Sequence, residues 1–368
     1  MTEKQVKKIK VIDKPATDSK LIDFLVESVR KDFGRDSIMS MKDTNNKIKP
    51  LTKTGYTYLD TALGIGGLPG GRIIEIFGPE TSGKTTLTLH IAAEFQKIGG
   101  TVAFIDVENA LDVNYARGLG VDVESLLLNQ PDNGEQVFDI IETLSKSVSI
   151  FNSTNGKQKK PLLVIVDSVA AMSPKAELEG TLEDGTGAGM GSHARLMSLG
   201  LRRLVSVVRD PNILIIFINQ TRNKIGGYGN PETTTGGCAL KFYASIRIQI
   251  KSHGKYEESK EQVGKEFTIK IVKNKVSPPF TECTGLIRFG VGIDKVYPIF
   301  NELLKRGEII KGGKGWLKLN KHDDLEQFIG FKGFRTFYAN NKELVDKIYN
   351  SDFDKSKLID VELDEIDE

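Results

Sequence analysis

The clearest chemistry lies in Gly78-Pro79-Glu80-Thr81-Ser82-Gly83-Lys84-Thr85, a full G-x-x-x-x-G-K-[ST] loop. Glycines at that spacing let successive backbone N–H groups face one point, with the dipole of a helix N-terminus behind them. Lys84 then reaches the outer phosphates and the Thr85 hydroxyl holds Mg²⁺, with Thr86 following in the same nucleotide contact. A chance match in a glycine-rich turn is the bland alternative, and the flanks argue against it. Residues 72–77 form a β-branched run that reads as a buried strand, and residues 85–98 carry a helical period that stops at Gly99-Gly100. The loop is read as a nucleoside triphosphate site.

Three further groups fall where such a site needs them. Leu162-Leu163-Val164-Ile165-Val166-Asp167 is an apolar strand ending in an acid, and Asp167 at its tip is placed to hold Mg²⁺. An apolar run ending in Asp is weak alone and gains weight downstream of a phosphate loop. Asp106 and Glu108 close the strand after the phosphate-loop helix. Hydrolysis needs a carboxylate to orient water, and Glu108 is preferred as that base, with Asp106 as its support or a cap. Asn219-Gln220 ends a third strand, where a neutral amide can sense the γ-phosphate or the attacking water.

These residues need a sheet to hold them. From Gly71 the pattern alternates: strands at 101–106, 126–129, 162–167 and 213–219, and helices at 113–119, 135–148 and 193–208. That order predicts an α/β fold with a mostly parallel central sheet, ligands binding beyond the carboxyl ends of its strands. Beyond Leu240 the alternation 243–250, 267–272 and 285–289 predicts hairpin-connected strands with residues 251–265 as a charged turn. A helix from Leu21 to Phe33, capped by Asp18-Ser19, precedes a long glycine-rich connection, and either packs on its own domain or docks on a neighbouring subunit. The expected domains are a basic N-terminal segment with docking helix (1–35), an ATPase core (36–290), a small C-terminal α/β domain around Trp316 (291–350) and an acidic tail (351–368). Residues 151–160 read as a polar surface loop.

Composition sets broad limits. With 51 Lys+Arg against 49 Asp+Glu, net charge neither argues for nor excludes nucleic acid. Two cysteines make no disulfide framework, the four histidines show no metal-ligand spacing, and no apolar segment follows the N-terminal lysines. Apolar runs are too short to span a bilayer, so a cytoplasmic protein without membrane contact is expected.

Two glycine-rich segments flank the site. Residues 180–192 precede a helix bearing Arg195, Arg202 and Arg209 at seven-residue steps, which drift only about 20° per step and so form one stripe. On charge alone that stripe reads as a solvated face. The segment 221–234, with Arg222, Lys224 and Tyr228, combines positive charge with an aromatic and permits a grip on a polyanion.

Lys31-Asp-Phe-Gly-Arg-Asp-Ser-Ile-Met, Gly66-Gly-Leu-Pro-Gly-Gly-Arg, Phe104-Ile-Asp-Val-Glu-Asn-Ala-Leu-Asp, Gln130-Pro-Asp-Asn-Gly-Glu-Gln, Val166-Asp-Ser-Val-Ala-Ala and Phe217-Ile-Asn-Gln join the phosphate loop in resembling the bacterial RecA recombinases. Gly229-Asn-Pro-Glu-Thr-Thr-Thr-Gly-Gly-Cys-Ala-Leu-Lys-Phe-Tyr-Ala-Ser is the most specific match, and Val272-Lys-Asn-Lys completes the set. The resemblance runs from about Leu21 to Tyr349. It implies a RecA-type P-loop ATPase core and an ATP- and Mg²⁺-dependent filament on single-stranded DNA that pairs it with homologous duplex. It also implies Glu108 as the catalytic carboxylate, Lys84 and Gln220 acting with it, and Asp167 on Mg²⁺. Asp112 and Tyr115 would contact adenine, and Lys273 and Lys275 would reach ATP on the adjoining protomer. From the residues alone those two lysines read as solvated strand ends. Residues 180–192 and 221–234 would be the DNA loops, with Arg195 and Arg202 beside the first. The helix from Leu21 would dock head to tail on the next subunit. SOS repressors and filament-loading proteins are implied partners.

Three departures qualify the resemblance. The first loop is about three residues longer than the family pattern and the second about one shorter, so their DNA contacts do not transfer one to one. Asn109 stands where the family usually has histidine. A ring-forming motor or a small-molecule kinase would use the same phosphate loop. The docking helix and a loop linked to Gln220 favour the filament.

Overall fold

β-branched runs and amphipathic stretches alternate along the chain, and they build one ten-stranded sheet clothed by helices. The computed structural model describes residues 19–34, 37–38, 48–155, 158–179, 191–223, 232–258, 260–313, 315–322 and 324–351. The chain divides into two units, Met1–Ile48 and Lys49–Glu368.

In the first unit the helix spans Ser19–Phe33, two residues earlier than Leu21; its expected cap Asp18 lies outside the described residues. Gly34 ends it at φ +93°, with its N–H on the Arg30 carbonyl, the left-handed stop that glycine adopts without strain. Leu21, Phe24 and Leu25 lie on one side of this helix and are all exposed.

In the second unit the sheet runs Gly292–Ile293, Glu282–Arg288, Glu261–Asn274, Ile246–Glu258, Arg72–Gly78, Ile213–Asn223, Leu162–Asp167, Thr101–Asp106, Leu126–Asn129, with Glu232–Thr234 paired to the end of Ile213–Asn223. From Ile246–Glu258 to Leu126–Asn129 the neighbours are parallel; the members before Ile246–Glu258 in that order pair antiparallel. The fold is α/β with a mostly parallel central sheet, as the alternation predicts. Ile213 to Ile218 are wholly buried because helices cover both faces at the centre of the sheet. One face packs on the phosphate-loop helix Lys84–Lys97. The other packs on Gly134–Thr154 and Ser192–Val207 through Phe138, Ile141, Met197, Leu201 and Leu204. Register then does the positioning: Gly78 lies opposite Gln220, and Asp106 opposite Asp167, so the expected site residues share one rim.

Three local expectations change. Residues 251–265 are not a turn: Ile246–Glu258 and Glu261–Asn274 are the arms of one long hairpin, with Lys260 between them at φ +64°. Backbone pairing carries on where the side chains leave the core. Beyond it Tyr256 meets Tyr297 and Phe331 edge-on, and Glu258 pairs with Arg335 and Lys332 of the C-terminal segment. The helix expected to stop at Val148 continues to Thr154, because the Asn152 side chain bonds both the N–H and the carbonyl of Lys160 on the returning chain. The segment 221–234 is not wholly irregular, since Thr221, Arg222 and Asn223 pair antiparallel with Thr234, Thr233 and Glu232.

A third core gathers Leu286, Phe300, Phe328, Phe331, Phe334 and Phe337 under the small sheet Ile309–Lys311, Trp316–Leu319, Phe328–Ile329 and the helices Tyr297–Lys305, Gly330–Asn340 and Lys342–Tyr349. Among the described residues, no helix is long and apolar enough to cross a membrane.

Candidate nucleotide site

Strand Arg72–Gly78 passes through residues 79–83 into helix Lys84–Lys97, the strand–turn–helix context the loop requires. Two glycines are dictated by space. A Cβ at Gly78 would sit 2.0 Å from the Ile250 carbonyl oxygen, and one at Gly83, whose φ is +99°, would sit 2.2 Å from Ile287 Cδ1. Thr81 takes φ +55°, so the loop curls tightly around its own centre.

Lys84 is 8% exposed, and its Nζ donates to the Pro79 carbonyl oxygen at 2.6 Å. Burial pulls its pKa below the usual lysine value, against the opposing charges of Asp167, Glu108 and Glu80. Thr85 Oγ1 donates to Asp167 Oδ2 at 2.7 Å. Desolvation pushes the Asp167 carboxyl up to about 6, although the Thr85 hydroxyl works in the other direction. Both side chains offer hard oxygen donors at the foot of the loop, the donor type that suits Mg²⁺.

The two candidate acids separate. Asp106, 2% exposed, accepts from Ala110 N–H at 3.2 Å and Leu111 N–H at 3.1 Å, and so holds the turn that follows its strand. Glu108 Oε1 accepts from the Ser168 hydroxyl and, at 3.2 Å, from Gln220 Nε2. The residues expected to act on water and to sense the outer phosphate are therefore already in contact.

A cavity of about 320 Å³ opens over the loop, lined by Thr81 to Thr86, Tyr115, Lys265, Ile287, Phe289 and Gly290. Thr86 Oγ1 and the Tyr115 hydroxyl lie 2.9 Å apart. Asp112 does not line this cavity. Its carboxylate caps helix Val113–Gly118, accepting from Asn114 N–H and Tyr115 N–H, which fixes where Tyr115 stands. Gly78 ends its strand behind the loop, and Pro79 and Glu80 flank it without lining the cavity.

Lys273 and Lys275 also lie away from it. Lys273 Nζ donates to the carbonyls of Lys241 at 2.6 Å and Phe242 at 3.0 Å, in the last turn of helix Ala239–Tyr243, and Lys275 is exposed. Arg195 and Arg202 are exposed on helix Ser192–Val207 and border a second cleft of about 1020 Å³ floored by Phe138, Leu196 and Gly200. Arg222 is exposed in the strand pair after Gln220. Lys224, Tyr228 and residues 180–190 lie outside the described residues.

Sequence patterns missed Lys265, Ile287, Phe289 and Gly290, all brought to the loop by the hairpin and the strand paired with it. They also missed the polar link beneath the rim. Glu75, wholly buried in the phosphate-loop strand, pairs with Arg247 Nε at 2.5 Å and accepts from Asn219 Nδ2 at 2.9 Å. The guanidinium of Arg247 also stacks on Phe77, 4.5 Å from the ring centroid.

Comparison with known proteins decides the family. A family profile described as the RecA N-terminal domain matches residues 20–294. The chain is 44% identical to Protein RecA of Campylobacter fetus over 89% of its own length and 91% of the relative's. It is 46% identical to Protein RecA of Petrotoga mobilis, covering 86% and 83% of the two chains, and 46% identical to that of Helicobacter pylori, covering 89% and 90%.

The chain belongs to the RecA family. The matched RecA span reaches from the N-terminal helix to strand Gly292–Ile293, and so includes every strand of the central sheet. Phe289 and Gly290, which belong to no sequence motif named above, also fall inside this RecA span.

Proposed function

We propose that this chain is a Mg²⁺- and DNA-dependent ATPase that assembles head to tail on single-stranded DNA and pairs it with homologous duplex in DNA repair and recombination. The observation that carries the reading is the hydrogen bond from Gln220 Nε2 to Glu108 Oε1. Gln220 continues directly into Thr221–Asn223, the first arm of the segment assigned to DNA. One bond thus joins the carboxylate assigned to water with the root of the segment assigned to the polyanion, a contact through which binding at one site can bias the other.

The backbone N–H groups of the loop and Lys84 bind the phosphates, with Lys84 exchanging the Pro79 carbonyl for a phosphate oxygen. Thr85 and Asp167 would hold Mg²⁺, which when bound neutralises charge on the outer phosphates. Tyr115 and Phe289 offer apolar surfaces for the base. Glu108 orients water and takes up its proton. Gln220, by changing partner from Glu108 to the γ-phosphate, releases that carboxylate for hydrolysis and shifts the strand pair bearing Arg222.

Assembly is supported from both units separately. The first carries Leu21, Phe24 and Leu25 uncovered on a helix, and the second ends its sheet in Leu126–Asn129, an edge strand whose Leu127 and Leu128 are about half exposed. An open edge and an unburied apolar helix face suit a heterologous contact that does not close. Exposed Arg195 and Arg202 fit phosphate contact, and Lys273 and Lys275 fit a role at the joint between protomers. Cytoplasmic location, filament-loading partners and repressor self-cleavage on the filament belong to the same reading.

Steady-state ATP hydrolysis with and without single-stranded DNA tests it, alongside Glu108→Gln and Lys84→Ala. DNA stimulation in wild type that both variants lose is the expected result. Hydrolysis indifferent to DNA would remove the recombinase reading and leave the nucleotide site.

A further inference from the structure

Lys265 interrupts a pattern. On the hairpin arm Glu261–Asn274, residues two apart share a face, and Phe267, Ile269 and Ile271 are all wholly buried against the phosphate-loop helix core. Toward the reversal of the hairpin, Lys265 is the next position on that face, and it is charged. It lies opposite Ile287, whose Cδ1 fills the space beside Gly83, so the pair abuts the phosphate loop. The apolar face runs out of the core and into the cavity at this position.

The neighbouring strand adds to the placement. Lys265 pairs with Lys255 and Glu266 with His253, leaving Gly254, at φ +63°, unopposed as a bulge. A bulge increases local twist and re-aims the side chains around it. The Lys265 ammonium donates to the carbonyl oxygen of Thr81, inside the loop, and its side chain lines the cavity. Glu266, pointing the other way, accepts from the Tyr297 hydroxyl.

The two lysines of the cavity differ in their surroundings. Lys84 feels Asp167, Glu108 and Glu80, which offset the cost of burying its charge. For Lys265 desolvation is the sole cause of a lowered pKa, and its partner is a neutral carbonyl. A half-buried ammonium held in that way gains most from an anion entering the cavity.

We infer that Lys265 is a nucleotide-binding residue, contacting a phosphate of the part that ATP and ADP share. The assignment rests on the cavity being the nucleotide site and adds to it a cation that the G-x-x-x-x-G-K-[ST] motif does not contain. The position favours the shared part. Lys265 reaches the loop at Thr81 and stands with Ile287 and Phe289, whereas Asp167, Glu108 and Gln220, the groups assigned to Mg²⁺, water and the outer phosphate, do not line the cavity. A contact of this kind stabilises ground and transition states alike, so it lowers KM and leaves kcat unchanged.

The test is equilibrium binding of ADP, a non-hydrolysable ATP analogue and adenosine to the full chain, wild type, Lys265→Met and Lys265→Arg, at low and high salt. Methionine keeps the apolar stem, and equal unfolding temperatures establish that the variants are folded. Lys265→Met should weaken ADP and the analogue by the same factor, about tenfold at low salt. It should reduce the salt dependence of both and spare adenosine, with KM raised in proportion, kcat unchanged and Lys265→Arg largely restoring affinity. Unchanged ADP affinity overturns the assignment. An equal loss for adenosine moves the contact to the base or ribose, and a loss confined to the analogue, or in kcat, moves it to the γ-phosphate; both overturn it as stated. Wild-type protein that binds none of the three ligands would instead remove the nucleotide reading, on which Lys84→Ala reports separately.

Discussion

Asn219 Nδ2 donates to Glu75 Oε1 across 2.9 Å, and both residues are wholly buried. The bond ties the phosphate-loop strand to the strand that ends in Gln220. Asn219 also accepts from Thr235 Oγ1 at 2.5 Å and from Gln220 N–H at 2.9 Å, so the two ends of segment 221–234 are fastened to the sheet through one amide.

Glu75 carries the largest energetic stake in this link. Glu75→Ala should destabilise the protein by about 3–5 kcal/mol, because it leaves the guanidinium of Arg247 half-stacked on Phe77 without its carboxylate. Urea unfolding monitored by circular dichroism measures it. A loss under about 1 kcal/mol would mean the pair is solvated and of little net worth.

Gln220→Ala should leave ADP affinity within about twofold of wild type and reduce DNA-stimulated hydrolysis at least about tenfold. The amide contributes no group to the cavity, while its side chain bonds Glu108 at the root of segment 221–234. Hydrolysis rates across a DNA titration decide the matter, and a variant stimulated as strongly as wild type would remove Gln220 from the coupling.

Acid sensitivity has an identifiable source. His90 Nε2 accepts from the Ile293 N–H at 3.0 Å, and burial, aided by Lys295, pushes the imidazole down to about 4 against the pull of Glu94. Unfolded histidine titrates near ~6.5, so between those values the unfolded chain binds a proton that the folded chain refuses. The stability is fully present above about pH 6.5 and falls as the pH drops toward about 4, by up to about 3 kcal/mol. Unfolding free energies over that range should show the decline in wild type and a flatter profile in His90→Gln. Identical profiles would place the acid limb elsewhere.

The edge strand predicts a separation of stability from assembly. Leu128→Lys, at a position about half exposed, should leave the unfolding temperature within about 2 °C and prevent extended assemblies on single-stranded DNA. Electron microscopy and sedimentation check it, and normal filaments from the variant would free this edge from the interface.

Local signals made much of this legible. The phosphate loop, the acid-tipped strand and the alternation of strands and helices each depend on neighbours a few residues apart, and all appear in the fold. What stayed hidden depends on distant pairing. Glu75 sits in a β-branched run read as a buried strand, and the burial of its charge makes sense only beside Arg247, 172 positions later. Lys265 fell in a stretch whose charges suggested a turn, because hairpin register is set by pairing rather than by polarity. Asp112 is the local exception: it matched a resemblance to an adenine contact, while its bonds to the N–H groups two and three residues on are those of a helix cap.

The antiparallel stem formed by Thr221–Asn223 and Glu232–Thr234 fixes register at both ends of its segment. Residues 224–231, between the two arms, lie outside the described residues. Within the stem, a single inserted residue would turn every following side chain to the opposite face, Arg222 or Thr233 among them. Chimeras that exchange this segment with a relative's should therefore keep Thr221–Asn223 and Glu232–Thr234 in register and be cut between residues 223 and 232.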